Sequence, residues 1–276
     1  MKILDANGAR IPALGLGTWQ LRGNACSAIV EEALKVGYTH VDTAIMYENE
    51  EAVCDGLKSS GVARDDYFLT TKVWPTDIVD GTYQRAVEGS LKRLGVDQVD
   101  LLLIHWPPKD GNVKEWARLI NEVADRGLTK HLGVSNFTTS QLDAIVEASE
   151  RTIVCNQVEN HPYLDQSRLR ASCAKHGMAL IAYCPLFRGG DMFREPAVTQ
   201  AGAVHGKSPA QIVLRWHVQH DGAGAIPKTA TLARLPENLA IFDFELSDDE
   251  MSTISLLVKR HERICDFEFS PNWDPA

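Results

Sequence analysis

Apolar residues along the chain gather into eight short runs: "ALGLGTW", "HVDTA", "FLTTKVW", "VDLLLIHW", "HLGVSN", "VCNQVE", "LIAYCP" and "GAGAIPK". Each is rich in β-branched or aliphatic residues, as strands are. Between most of them apolar positions recur at helical spacing, over 24–35, 50–59, 81–94, 113–126, 139–148, 166–175 and 209–220. This alternation predicts eight strand-helix units. Runs that are apolar on both faces belong to strands covered on both sides, so the sheet is parallel. Eight such units in about 250 residues is the size of a (β/α)8 TIM barrel, which is the expected α/β fold. No Pro/Ser-rich linker or low-complexity tract divides 1–276, so one domain is expected. Ahead of the first unit, Asn7-Gly8 lies between short apolar segments in "KILDANGARIP". That is a two-residue hairpin signal, and the hairpin is expected to cap the bottom of the barrel.

A doubly wound sheet also alternates strands and helices. It needs a glycine-rich turn after the first strand, and Gly15, Gly17 and Gly23 have the wrong spacing for a dinucleotide fingerprint.

Composition narrows the class of partner. The 276 residues are 44% hydrophobic and 24% charged, and 37 acidic against 28 basic residues give a net charge of -9. Such a balance disfavours a nucleic-acid or anionic-lipid surface, while leaving room for a local basic pocket. No apolar run is long enough to span a bilayer, and "MKILDANGAR" lacks a signal-peptide core, so a cytoplasmic protein is expected. Cys26, Cys54, Cys155, Cys173, Cys184 and Cys265 are scattered without paired spacing and read as reduced structural thiols.

In a barrel the C-terminal ends of the strands share one rim, where the chemistry collects. Reading off those ends gives Asp42, Lys72 and His105, with Tyr47 in the loop after the second strand. Singly, each admits a packing role: a helix cap, a buried phenol, a snorkelling lysine, a core histidine. Together they interrupt three apolar runs with titratable groups, which burial penalises unless they pair. A lysine beside an aspartate stays cationic, and a cation next to a phenol is expected to lower its pKa. On this reading Tyr47 protonates a carbonyl oxygen as hydride reaches the carbon, and His105 orients that carbonyl.

The motifs "HVDTAIMYENE", "LTTKVW", "LLLIHWP", "LGVSNF", "QVENHP" and "AIPKTATLARLPENLAIFDFELS" resemble the aldo-keto reductase family across essentially the whole chain. The resemblance implies a catalytic tetrad of Asp42, Tyr47, Lys72 and His105. It also implies NADPH (NADP+) bound without a Rossmann domain. Ser135, Asn136 and Gln157 match positions that hydrogen-bond the nicotinamide carboxamide, and Tyr183 matches the aromatic residue that stacks on its ring. Leu186 follows in the same "AYCPL" motif. Thr18 and Trp19 resemble positions beside the nicotinamide ribose and the substrate mouth. Lys228, Thr229 and Arg234 match residues that grip the adenosine 2'-phosphate, and Glu237 and Asn238 match those at the adenine. Cys184 departs from the pattern, standing where a serine is frequent, and Thr229 replaces another serine but keeps the hydroxyl.

Short loops after His105 and at the C-terminus resemble the bacterial 2,5-diketogluconate and methylglyoxal reductase subgroup, and so does the ending "SPNWD". Trp19, Trp74 and Trp106 are expected to wall a pocket for small carbonyl substrates, with Phe187, Met192 and Trp273 as further candidates. The family is often monomeric, so a monomer is expected. Two other readings stand beside this one. Asp42, His105 and His161 could serve a metal-dependent hydrolase, but that set lacks a closely spaced histidine pair on one strand or helix and Lys72 would bring a cation to the metal; no metal is expected. An NADPH-binding regulatory subunit with little turnover is the other; it is disfavoured because all four tetrad positions are filled.

Overall fold

The computed structural model describes residues 1–275. The chain enters through β1 (Ile3–Ala6) and β2 (Ala9–Pro12), an antiparallel hairpin in register from Ile3↔Pro12 to Ala6↔Ala9. Its loop residues Asn7 and Gly8 both have positive φ, 47° and 87°. Such a turn matches the right-handed twist of the strands, and Asn-Gly adopts it with least strain. The Asn7 side chain then ties the hairpin to the barrel. Its Nδ2 donates to the carbonyls of Ile153 at 2.8 Å and His176 at 2.9 Å, both at or just before the start of a strand. The hairpin therefore covers the bottom, as expected.

Eight parallel strands follow: β3 (Leu16–Gly17), β4 (His40–Asp42), β5 (Phe68–Val73), β6 (Val99–Ile104), β7 (Thr129–Ser135), β8 (Ile153–Glu159), β9 (Ala179–Tyr183) and β10 (Ala223–Ala225), each bonded to the next. The ring closes between its ends. Ala225 N donates to Ala13 O at 2.8 Å, Gly15 N to Ala225 O at 2.9 Å and Gly17 N to Pro227 O at 3.0 Å. Closure requires a glycine at 17, because a Cβ there would lie 2.7 Å from Ile226 O. The fold is the predicted (β/α)8 barrel.

The helices are α1 (Gly23–Lys35), α2 (Glu50–Ser60), α3 (Tyr83–Leu94), α4 (Val113–Asp125), α5 (Thr139–Ala148), α6 (Ser167–Lys175), α7 (Pro196–His205), α8 (Pro209–Gln219), α9 (Arg234–Leu239) and α10 (Asp248–Ser255). The sequence periodicity anticipates seven of them within a few residues. It misses α7, whose buried face is only Val198, Ala201 and Gly202. Residues this small give almost no apolar stripe, and they are chosen for closeness: a Cβ on Gly202 would meet Lys207 O at 2.8 Å. The short α10 after the last strand is also unpredicted, whereas α9 starts within "TATLARLPENL", a stretch that reads as a helix N-terminus.

Alternation along the strands sets what the rim receives. His40 and Asp42 share one face of β4, Thr70 and Lys72 one face of β5. Inside the barrel His40 Nε2 lies 3.0 Å from Thr70 Oγ1 and Lys72 reaches Asp42. Thr71 faces the other way and donates to the buried Glu50 of α2 at 2.7 Å, a carboxylate that also accepts from Ser90 Oγ at 2.5 Å and Arg93 Nε at 2.8 Å.

Candidate active site

At the top rim the four titratable groups meet. Lys72 is fully buried, and its Nζ donates to Asp42 Oδ1 at 2.5 Å, to Thr43 O at 2.8 Å and to Tyr47 Oη at 3.4 Å. Asp42 is held from its other side by Gln157, whose Nε2 donates to Oδ2 at 2.7 Å. Tyr47 ends a 3-10 turn, Ile45–Tyr47, and the next residue, Glu48, takes a left-handed φ of 53° that turns the chain into α2. Asn49 pins this loop. It accepts from Thr43 Oγ1 at 2.9 Å and donates to the carbonyls of Thr18 at 2.8 Å and Leu21 at 3.1 Å. Arg22 also donates to the Tyr47 carbonyl. The phenol is thus presented by a tethered loop, with its ring centroid 5.6 Å from that of His105.

The electrostatics correct one expectation. The Tyr47 phenol is raised, not lowered, beside Lys72. Burial raises it well above the usual tyrosine value, and the Asp42 carboxylate adds to the rise. The reason is geometric: with Asp42 at 2.5 Å, Lys72 presents the phenol with a near-neutral pair, not a lone cation. Burial also pushes the Lys72 ammonium below its usual value, opposed by Asp42. His105 is pushed well below the usual histidine value by burial and then by Lys72, so its ring is neutral. Its Nδ1 is buried without a partner among the described residues.

The residues expected around a nicotinamide ring lie on the adjacent strands. Asn136, at φ 64°, donates through Nδ2 to His105 O at 3.0 Å and accepts at Oδ1 from Tyr183 Oη at 2.7 Å. Ser135 donates to Gln157 O at 2.7 Å, so its hydroxyl proton is already committed. Gln157 spends one amide proton on Asp42, and its Oε1 remains an acceptor. Thr18 is buried and donates to Asp42 O at 3.0 Å. Leu186 is half-buried and packs between the two hydrophobic clusters of the chain.

The second expected group lies at the end of β10 and on α9. Lys228 and Arg234 are exposed, and among the described residues neither makes an ion pair. Thr229 is buried, with Oγ1 donating to Thr231 O at 3.3 Å. Glu237 accepts from Ser208 Oγ at 2.6 Å, so it has a structural partner, and Asn238 is buried.

The aromatic wall divides. Trp19 stands 4.8 Å from Tyr47 and Trp74 5.2 Å from His105, centroid to centroid. Trp106 instead packs under the C-terminal tail, against Phe267, Phe269 and Trp273. Phe187 packs on His161 and Tyr163, and Met192 is fully buried in that same cluster, because the 184–194 segment folds down onto α7 and α8. Trp273 lies under the Arg263 guanidinium. His161, weighed as a metal ligand with Asp42 and His105, bonds Glu159 at 2.9 Å instead.

Sequence reading missed the tail's contribution. Phe269 reaches the site, 5.3 Å from Trp74, and Phe267 stacks on it at 5.2 Å. The tail is anchored by Glu159 at the end of β8, which is fully buried. Its Oε1 accepts from Ile264 N at 2.7 Å and its Oε2 from Cys265 N at 2.9 Å. The available signal was two phenylalanines alternating with acids in "DFEFS", apolar residues with no strand to bury them.

A (β/α)8 barrel whose rim gathers a buried Asp-Lys pair, a tethered tyrosine and a neutral histidine defines a class of carbonyl-oxidoreductase site. The match to the family model "Aldo/keto reductase family" over residues 13–259 places the chain in that family, and it is an oxidoreductase. It is 42% identical over 254 residues to the glyoxal reductase of Bacillus subtilis (strain 168), covering 92% of this chain and 91% of that protein. It is 41% identical over 260 residues to methylglyoxal reductase DkgA of Yersinia pestis, covering 93% and 92%. A crystal structure of a protein assigned as a 2,5-diketo-D-gluconic acid reductase B superposes with a TM-score of 0.97 at 42% identity, covering 100% of this chain and 98% of that one.

Proposed function

We propose that this protein reduces small aldehydes and ketones to alcohols with NADPH, and that Tyr47 is the general acid. The substrate class follows its relatives: α-oxoaldehydes of the glyoxal and methylglyoxal type, or keto-sugar acids. The observation that carries the reading is Lys72 Nζ bridging Asp42 at 2.5 Å and the Tyr47 hydroxyl at 3.4 Å inside a fully buried site. Aldo-keto reductases use a nicotinamide cofactor, which when bound supplies the hydride.

Two features of the chain fit that cofactor. Among the described residues no donor reaches Gln157 Oε1 or the second lone pair of Asn136 Oδ1, and a carboxamide NH2 supplies two donors. Lys228 and Arg234 offer a point charge and a planar fork with no carboxylate on either among the described residues, which suits a terminal 2'-phosphate and favours NADPH over NADH. The Tyr47 phenol holds its proton across the working pH range because burial disfavours the phenolate. It releases that proton only when a carbonyl oxygen beside it becomes anionic. Lys72 then stabilises the phenolate, and Asp42 keeps Lys72 charged. A neutral His105 orients the carbonyl by donating a hydrogen bond, without competing for the proton.

The test compares wild type with Tyr47→Phe, using NADPH and NADH against methylglyoxal, a diketogluconate, an aromatic aldehyde and an aliphatic ketone. Loss of the phenol should lower kcat by roughly 10²- to 10⁴-fold, with NADPH affinity by fluorescence nearly unchanged. Comparable rates in the variant would remove Tyr47 from the chemistry.

A further inference from the structure

We propose that Cys184 and Cys265 form a redox-modification site that takes a hydroperoxide and closes into an intrachain disulfide. Their Sγ atoms lie 3.9 Å apart, although 81 positions separate them in the chain. Both thiols are partly exposed, whereas Cys26, Cys54, Cys155 and Cys173 are buried. Each member of the pair is held by its backbone. Cys184 follows Tyr183 at the end of β9 with a left-handed φ of 47°, and the Cys265 amide is anchored on Glu159. A disulfide needs about 2.05 Å between sulfurs, so a movement of about 2 Å closes the pair.

The chemistry balances with hydrogen peroxide as oxidant. The Cys184 thiolate attacks one peroxide oxygen, the O–O bond breaks, and the leaving hydroxide takes a proton to become water. Cys184 is now a sulfenic acid. Cys265 attacks that sulfur, the S–O bond breaks, the S–S bond forms, and the second oxygen leaves as water. Two thiols lose two electrons and the peroxide gains them. The order of attack follows from the contact. The hydrogen bond from Cys265 lowers the Cys184 thiol, while the same bond raises Cys265. The buried cysteines lack this help: burial pushes Cys173 up to about 12 and Cys26 to about 11.

The link would fasten the C-terminal tail to the residue beside Tyr183, whose hydroxyl bonds Asn136. Its effect on turnover rests on the proposed reading of that wall as the cofactor site; its formation does not. Intact protein is treated with a small excess of hydrogen peroxide and digested without reductant for mass spectrometry. The expected result is one linked peptide pair joining Cys184 to Cys265, a mass lower by two hydrogens, and four titratable thiols in place of six. NADPH-dependent turnover should fall with formation of the link and return with dithiothreitol. Cys265→Ser should keep untreated turnover and lose both the link and the inhibition. Cys184→Ser should also lose the link by mass. Oxidation that stops at sulfinic acid, links other cysteines, or joins two chains overturns the proposal. If untreated protein reduces no carbonyl while the link still forms, the functional reading fails and this one stands.

Discussion

Asp42 and Glu159 are both carboxylates at the C-terminal end of a barrel strand, 1% and 0% exposed, yet their partners differ in kind. Asp42 is held by side chains, Lys72 at 2.5 Å and Gln157 at 2.7 Å. Glu159 is held mainly by backbone, the amides of Ile264 and Cys265, with His161 beside them and Arg263 at 3.9 Å. The first arrangement sets a charge next to a phenol. The second folds a stretch of tail onto the rim. Burial of a carboxylate at a barrel rim is therefore no mark of chemistry by itself; what matters is whether its partner touches a reacting group.

The largest effect should come from breaking the Asp42 side. An asparagine at 42 can offer its oxygen to Lys72 or to Gln157 but not to both, so one donor meets another. The buried ammonium also loses its counter-charge. Asp42→Asn should cost about 3–5 kcal/mol in denaturant unfolding and remove carbonyl reduction. Adding Lys72→Met should recover most of the stability, because a pair replaced by uncharged groups leaves no orphan charge, while activity stays lost. A single variant that loses less than about 1 kcal/mol would mean that Lys72 sheds its proton freely and that the pair is not held as described.

The Glu159 side has no such rescue, since its partners are main-chain amides that no second substitution removes. Glu159→Gln keeps one acceptor and turns a donor toward the other N–H. An orphaned buried amide costs about 1–3 kcal/mol. The tail keeps other holds, notably Asp274, whose carboxylate accepts from Thr139 N at 2.9 Å and Thr139 Oγ1 at 2.8 Å. The loss should therefore be local: faster hydrogen exchange at Ile264 and Cys265 and easier proteolysis near residue 263, with NADPH affinity unchanged. Unaltered exchange at those two amides would show that Glu159 does not anchor the tail.

The same contrast separates what the sequence made legible from what it did not. Asp42, Lys72 and His105 each break an apolar strand run, so their position on the rim follows from counting strands. Asn7-Gly8 is legible because only a primed turn wants that pair. The protonation state of Tyr47 is not, because it depends first on how deeply the fold buries the phenol and then on how near Asp42 lies, neither of which spacing encodes. Glu159 looks like any strand-end acid until the tail arrives from more than a hundred positions away. Trp106 flanks a rim motif and so reads as pocket wall in the sequence, but only the folded tail decides which face of that loop is covered.

The two regions meet at one side chain. Phe269, carried by the tail that Glu159 anchors, packs 5.3 Å from Trp74, which in turn lies 5.2 Å from His105 beside Tyr47 and Lys72. It is 36% exposed, so removing it creates no buried cavity, and Phe269→Ala should cost stability only through its aromatic contacts with Trp74, Trp106 and Phe267. Its contact with Trp74 is edge-on, of a kind worth about 0.5–1.5 kcal/mol. If Phe269 holds Trp74 against the substrate, KM for an aromatic aldehyde should rise by roughly two- to tenfold, with kcat and NADPH affinity held. A fall in kcat with KM unchanged would place the tail's influence on the proton-transfer geometry, and the separation drawn between the two carboxylates would then be too sharp.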